Sequence, residues 1–345
     1  SSRSVAATFS PMRGNPVFLS SVGVRTDLGS LAAYDRVCNQ LASDAGINDA
    51  QGSGFIAAMA DSTTDLRTRF ASVPGGWVRL DGRPFATGVA ALLERGEVVY
   101  PIRYSERGKD ERATPVDPEI YVMTGANADG TSSTATCSDW SDATSASQAE
   151  VGYPTGGATA WSTTLPIGCG ILPLRIACFG RSRTEPVQVP TFTGKRIWLS
   201  NTPFLPGNIS PDAHCTTERP AGVAAAVALL PYSNRAAAAA LDPGATYVRT
   251  DGQLVGTGQQ IIDRDLLSAI WIHADGTLEQ RPLARVWTGD SDLNRPVPLA
   301  QTCNDWTSQS SEGFFGYPQF NDFFFGAGVP QPCSTDFHHL YCVER

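Results

Sequence analysis

The eight cysteines are the residues of this sequence best placed to do chemistry, and their spacing narrows which chemistry. They fall at 38, 137, 169 and 178 and again at 215, 303, 333 and 342, so intervals of 99, 32 and 9 are answered by 88, 30 and 9. A zinc site calls for close pairs such as Cys-x-x-Cys with histidines nearby, and the tightest interval here is nine. A thiol nucleophile needs an unpaired, activated cysteine, which an even and repeated set does not suggest. Disulfides formed in an oxidising compartment fit best, although spacing alone leaves three pairings open in each quartet.

Four other groups of residues are weighed as sites. Phe314, Phe315, Tyr317, Phe320, Phe323, Phe324 and Phe325 put seven rings in twelve residues between the second and third cysteines of the later quartet. The simpler reading is that these rings fill a satellite core beneath a long loop. The functional reading is a ligand-binding aromatic surface of Tyr317, Phe320, Phe323 and Phe324 with Asn321 and Asp322 as polar anchors. Asp290, Asp292 and Asn294 form an Asp-x-Asp-x-Asn run whose oxygens are a candidate calcium set. Arg295 stands where an EF-hand loop wants glycine and no glutamate closes twelve residues, so a solvated turn is expected and no cofactor is required. Asp139 and Asp305, each before a tryptophan, read as turn or cap acceptors rather than catalytic carboxylates. The histidines are 214, 273, 338 and 339; His338 and His339, adjacent on a strand, would point to opposite faces. The sequence holds no nucleophile elbow, P-loop, dinucleotide fingerprint or His-Glu-x-x-His pair, and no catalytic residue is assigned.

These residues sit on a duplicated frame. Thr136-Cys137-Ser138-Asp139-Trp140 recurs as Thr302-Cys303-Asn304-Asp305-Trp306, Trp77-Val78-Arg79-Leu80-Asp81-Gly82 as Tyr247-Val248-Arg249-Thr250-Asp251-Gly252, and Gly152-Tyr153-Pro154 as Gly316-Tyr317-Pro318. Val122-Met123-Thr124-Gly125 likewise answers Val286-Trp287-Thr288-Gly289. The chain divides into an N-terminal extension (1–14), a first unit (15–180), a linker with Pro186 and Pro190 (181–194) and a second unit (195–345). Each unit opens with a short apolar strand. A helix follows: Ser30 is a natural N-cap for a stripe of Leu31, Tyr34, Cys38, Leu41 and Ala45, and Ser210-Pro211 starts its counterpart. Second helices are expected over 62–70 and 233–241. Strands are expected over 77–80, 98–102 and 121–124, with closing strands over 174–179 and 339–343.

Composition excludes several roles. The chain has 345 residues, 26 basic against 34 acidic, and a net charge of −8, so it lacks the positive field that draws proteins to nucleic acid. The longest apolar stretch, 221–230, is about half of the roughly 20 residues a bilayer crossing needs, so no membrane insertion is expected. Residues 1–14 lack the apolar core of a signal peptide, and a mature chain whose signal had been removed would read the same way.

The helix carrying Cys38, with Ala45-Gly46 and Phe55-Ile56-Ala57-Ala58 after it, resembles the opening of endostatin. Val286-Trp287-Thr288-Gly289, Asp292, Asn294, Cys303 and Trp306 resemble its later part, and Cys333, His338-His339 and Tyr341-Cys342 its closing strand. Each unit thus resembles an endostatin-like domain, closest in type to those of bacterial surface proteins. The resemblance implies an α+β fold of the C-type-lectin-like kind in tandem, each copy with an early helix pair, a twisted, mostly antiparallel sheet and a long loop region. It also implies nested disulfides: Cys38 with Cys178, Cys137 with Cys169, Cys215 with Cys342, and Cys303 with Cys333. Departures bear on function. The 24 arginines are scattered, so heparin binding is not expected; residues 1–37 hold no histidine for endostatin's zinc; and the Glu-Pro-Asn and Trp-Asn-Asp triplets of calcium-dependent lectins are missing.

The expectation is a secreted or cell-surface, non-catalytic binding or adhesion protein whose partner is an extracellular glycan or protein. The alternatives are an assembly subunit of an envelope or appendage, and an enzyme with an unrecognised site on this fold.

Overall fold

Alternation sets the first layer of each unit. In the strand Asn15–Leu19, Val17 and Leu19 enter one apolar cluster while Phe18 enters the cluster on the other face. Lys195–Leu199 repeats this with Ile197 and Leu199 against Trp198. A computed structural model describes residues 14–47, 54–111, 121–170, 174–281, 283–326 and 330–345, so the expected extension lies outside the described residues except for Gly14.

The fold is mixed α+β. Each unit centres on a five-stranded sheet of identical order. In the first unit the strands run Phe55–Ala57, Ala177–Gly180, Asn15–Leu19, Trp77–Arg79 and Pro84–Ala86; in the second, Ala226–Ala228, Tyr341–Glu344, Lys195–Leu199, Thr246–Val248 and Leu254–Thr257. The opening strand pairs parallel with Trp77–Arg79 or Thr246–Val248, and the other pairings are antiparallel. A smaller sheet stands beside each: Val122–Met123, Gln148–Gly152 and Leu165–Gly168 in the first, and Pro330–Pro332, Glu312–Gly316, Arg285–Trp287 and His338–His339 in the second.

The helix Leu31–Asp44 buries Leu31, Tyr34 and Cys38 as its period requires, but Leu41 is half-buried and Ala45 lies beyond its end. Its counterpart Pro211–Thr217 is capped by the Ser210 hydroxyl, which accepts from the Ala213 N–H at 3.2 Å. The expected second helices are shorter than the sequence suggests. Ser62 and Ser233 are each tied through backbone N–H and hydroxyl to a distant aspartate, so helix begins only at Leu66, after an Asp65 cap, and the alanine run forms just a 3-10 turn, Ala237–Ala240. Residues 98–102 form no strand, because their backbone groups are claimed by side chains. The Arg79 guanidinium donates to the Pro101 carbonyl at 2.8 Å and the Ser268 hydroxyl to the Val99 carbonyl at 3.2 Å. A helix absent from the sequence expectation, Gly258–Ile262, opens with a Thr257/Gln260 capping box.

The four disulfides are nested, Cys38–Cys178, Cys137–Cys169, Cys215–Cys342 and Cys303–Cys333, and no cysteine is free. The outer bridge of each unit ties the main helix to the closing strand. The segment between units is no free tether: Asn15 exchanges hydrogen bonds with Arg183, Phe192 N–H donates to Gly252 O, and Gln253 Nε2 donates to Pro190 O. No helix among the described residues is long and apolar enough to cross a membrane.

Candidate functional site

The repeated Val-Arg-x-Asp-Gly motif explains how the two units meet. Arg79 and Arg249 are buried, and each makes a two-point pair with the aspartate two residues on, Asp81 or Asp251. Their remaining donors hold residues 98–103 and 266–270: Arg79 reaches Pro101 O, and Arg249 reaches Ser268 Oγ at 2.8 Å and Ala269 O at 3.3 Å. These two segments then bind each other. Arg103 Nη1 donates to Leu266 O at 2.7 Å, and Ser268 Oγ to Val99 O.

The aromatic loop completes this seam. Gly156 bridges Phe320; Gly157 N–H donates to Gln319 O at 2.6 Å and Asn321 N–H to Thr155 O at 3.3 Å. Under the shift of 164 that takes Tyr153 to Tyr317, residues 155, 156 and 157 become 319, 320 and 321, so the contact is two-fold symmetric. Phe320 is 2% exposed and lies edge-on to Tyr153, with ring centroids 5.2 Å apart. Phe324 is buried in the core of the second unit, Asn321 donates to Leu266 O at 2.8 Å, and Asp322 accepts from the Thr155 hydroxyl at 2.9 Å. Burial raises the pKa of Asp322 despite that hydroxyl. Tyr317 and Phe323 are half-buried, each in ring contact with Phe320. The six residues proposed as a ligand surface are therefore together, but Phe320, Asn321 and Phe324 face protein rather than solvent.

The calcium candidates form a turn organised around an arginine. Asp290 Oδ2 accepts from Arg295 Nε at 2.7 Å and pairs with its Nη2 at 2.6 Å, while Asp292 Oδ1 accepts from Asn294 N–H at 2.9 Å. Among the described residues no group of three or more histidine, cysteine, aspartate or glutamate side chains is arranged to hold a metal.

His338 and His339 do point to opposite faces. His338 is stacked between Trp287 and Phe337, at 4.0 and 4.7 Å, with neither ring nitrogen hydrogen-bonded. Burial, then the Arg285 charge, pushes its pKa down to about 3. His339 joins a polar cluster that the sequence did not reveal. His273 and His339 each place Nδ1 on the Ser200 carbonyl, at 2.7 and 2.8 Å; a carbonyl only accepts, so both nitrogens carry hydrogen. His273 Nε2 lies 3.5 Å from Glu279 Oε2, which Arg281 pairs at 2.6 Å, while His339 Nε2 accepts from the same Arg281 guanidinium. Burial works against the Glu279 carboxylate, but bonds from His273 and Arg281 outweigh it and hold its pKa far below the usual range. The first unit builds the same lock differently: Arg175, in the place of His339, donates to Ser20 O at 3.0 Å and lies 3.7 Å from Glu111. A guanidinium stands in for the imidazole, so the shared role of both clusters is to tie the closing strand to the opening one.

A polar cleft of about 480 Å³ lies in the first unit, lined by Ser62, Thr136, Ser138, Asp139, Ser147 and Gln148 among others. Its floor is strained. Cys137, Ser138, Asp139 and Trp140 run at φ of 50, 53, 53 and 64°, one left-handed helical turn, and 303–306 repeat it at 52, 55, 54 and 65°. Such a turn costs non-glycine residues roughly 1–2 kcal/mol each, so its surroundings must impose it. Cys137 is bridged to Cys169; Trp140 Nε1 donates to Ala60 O at 2.8 Å; Asp139 accepts from Ser62 N–H at 2.8 Å and its hydroxyl at 2.6 Å. The Ser62 hydroxyl and N–H hold the Asp139 carboxyl below its ordinary pKa. Gly125, at φ +62°, lies so close beneath that a Cβ would meet Ala60 O and the Trp140 ring at 2.7 Å, which accounts for the repeated Thr-Gly. Asp139 and Asp305 thus sit on the turn, which Thr136 and Thr302 cap, and their carboxylates accept from the distant Ser62 and Ser233, while the fixed turn presents hydroxyls and a carboxylate to solvent. No protein-family model matches this chain, and no curated protein matches it.

Proposed function

We propose that this chain is an exported, non-catalytic binding or adhesion module, built as two endostatin-like, C-type-lectin-like units, that recognises an extracellular glycan. The observation that carries the reading is the cleft beside Asp139, where serine, threonine and glutamine side chains line about 480 Å³ of open space on a disulfide-fixed turn. Hydroxyls and amides that both donate and accept match the alternating donors and acceptors of a sugar. A rigid floor also lowers the ordering cost of binding. Four buried disulfides fit an oxidising destination outside the cytosol. The aromatic loop is assigned to the seam instead of the ligand.

The test is a glycan array, with a panel of extracellular-matrix proteins alongside, probed by the intact chain and by Gln148→Ala and Ser145→Trp, both at positions lining the cleft. Glycan hits lost in both folded variants support the reading. Hits untouched by either variant move recognition off the cleft, and an empty array with protein hits only would replace the glycan by a protein partner.

A further inference from the structure

A second cavity, of about 170 Å³, lies on the seam and is walled by all three parts of the chain: Val98 and Val99 from the first unit, Val189 from the connecting segment, and Gln253, Trp271 and Leu278 from the second. Its charges are already matched. Asp251 holds the Arg249 guanidinium, whose other donors reach Ser268 and Ala269, and Glu97 accepts from Arg95 at 2.7 and 2.9 Å. A charged guest would find no free counter-charge. One polar group is unmatched: Gln253 is 3% exposed, its Nε2 donates to Pro190 O at 3.3 Å, and its Oε1 has no partner. Because Nε2 faces a carbonyl, the amide orientation is fixed, and the orphan is an acceptor that requires a donor. Apart from Thr87, Gln253 and the paired Glu97, Arg249 and Asp251, the walls are valine, leucine and tryptophan, which favour an apolar body beside the unmatched acceptor. An apolar cavity of about 150 Å³ accommodates one benzene ring.

We propose that this cavity binds a small neutral molecule with one six-membered apolar ring and a single O–H or N–H group, the ring against Trp271, Val98 and Leu278 and the donor on Gln253 Oε1. The cavity exists only where the two units and the connecting segment meet, so occupancy favours the docked state. This site is independent of the Asp139 cleft.

Phenol is the probe and toluene its donorless counterpart, each titrated into the full chain and followed by the NMR signals of the Trp271 indole and the Leu278 methyls. In the unaltered protein phenol is expected to bind at least about tenfold more tightly than toluene, the penalty for leaving a buried acceptor unmatched. In Gln253→Leu the preference disappears while toluene still binds. Equal binding of phenol and toluene by the unaltered chain, or no shift with either at millimolar concentration, overturns the proposal without reliance on any variant. Phenol binding that persists in Leu278→Trp, which fills the cavity, also overturns it.

Discussion

Gly156 pairs with Phe320, the residue that occupies its own place in the second unit. A contact between equivalent positions lies on a two-fold axis, and here the axis runs between halves of one chain. Phe320 supplies the packing there, against Tyr153 and Tyr317.

Replacing Phe320 by alanine is therefore expected to destabilise the protein by about 3–5 kcal/mol, the range for emptying a buried aromatic site. Denaturant unfolding reads the loss directly. A midpoint equal to that of the unaltered chain would show that the ring does not pack in the seam.

Thiol titration of the denatured, unreduced chain should detect no free thiol, since all eight cysteines are bridged. Removing the Cys38–Cys178 bridge, which closes 140 residues, should cost about 4–5 kcal/mol in the chain-entropy description. Removing Cys137–Cys169 should cost more than its 32-residue loop implies, about 3–4 kcal/mol, because it also restrains the left-handed turn. A smaller loss there would mean that the turn holds without it.

Acid should weaken the fold. Burial holds His338 and His339 neutral, with pKa values pushed down to about 3 and about 4, whereas in the unfolded chain both protonate near pH 6.5. Between pH 6.5 and 4 the unfolded state binds more protons, so stability falls with falling pH by up to about 1.4 kcal/mol per unit for each histidine. Glu279, with its pKa depressed, contributes above the unfolded carboxylate range and loses that contribution as pH falls below it. His273 acts in the opposite sense. Burial disfavours its charge, yet Glu279 and the Ser200 carbonyl raise its pKa, so its contribution is complete below pH 6.5 and lost as pH rises through the raised value. His338→Phe keeps the stack between Trp287 and Phe337 and removes one proton. Its urea midpoints at pH 7 and pH 5 should lie closer together than those of the unaltered chain, and an unchanged gap would refute the assignment.

Ser138 sits at φ 53° with its side chain toward solvent, so Ser138→Gly relieves the left-handed penalty and Ser138→Val increases it. The glycine variant is expected to raise the melting temperature by a few degrees and the valine variant to lower it. Equal shifts in the same direction would show that the turn is not under strain.

The α+β frame was legible in the short apolar run Val17, Phe18 and Leu19 and in the three-to-four spacing of Leu31, Tyr34 and Cys38. Nested bridges followed from the resemblance. What the sequence hid has one common cause, side chains acting on backbone far away. Asp305 holds Ser233 and so denies 233–236 a helix; Arg79 takes the carbonyl of Pro101 that a strand would have used. The convergence of His273, Glu279, Arg281 and His339 likewise depends on strands brought together by the fold. Gln253 was unremarkable in sequence, since an unmatched amide is visible only once its surroundings are packed.

The two-fold contact through Gly156 and Phe320 also limits how the molecule can grow. A head-to-tail contact leaves a donor surface at one end and an acceptor at the other, and adds subunits without end. A face that meets its own equivalent is exhausted after two copies, and here both copies lie on the same polypeptide. The most aromatic surface of the chain is thus closed internally, at a local concentration that dilution cannot lower. A third unit has no way to join through it, and any higher-order assembly must grow from the outer faces of the pair.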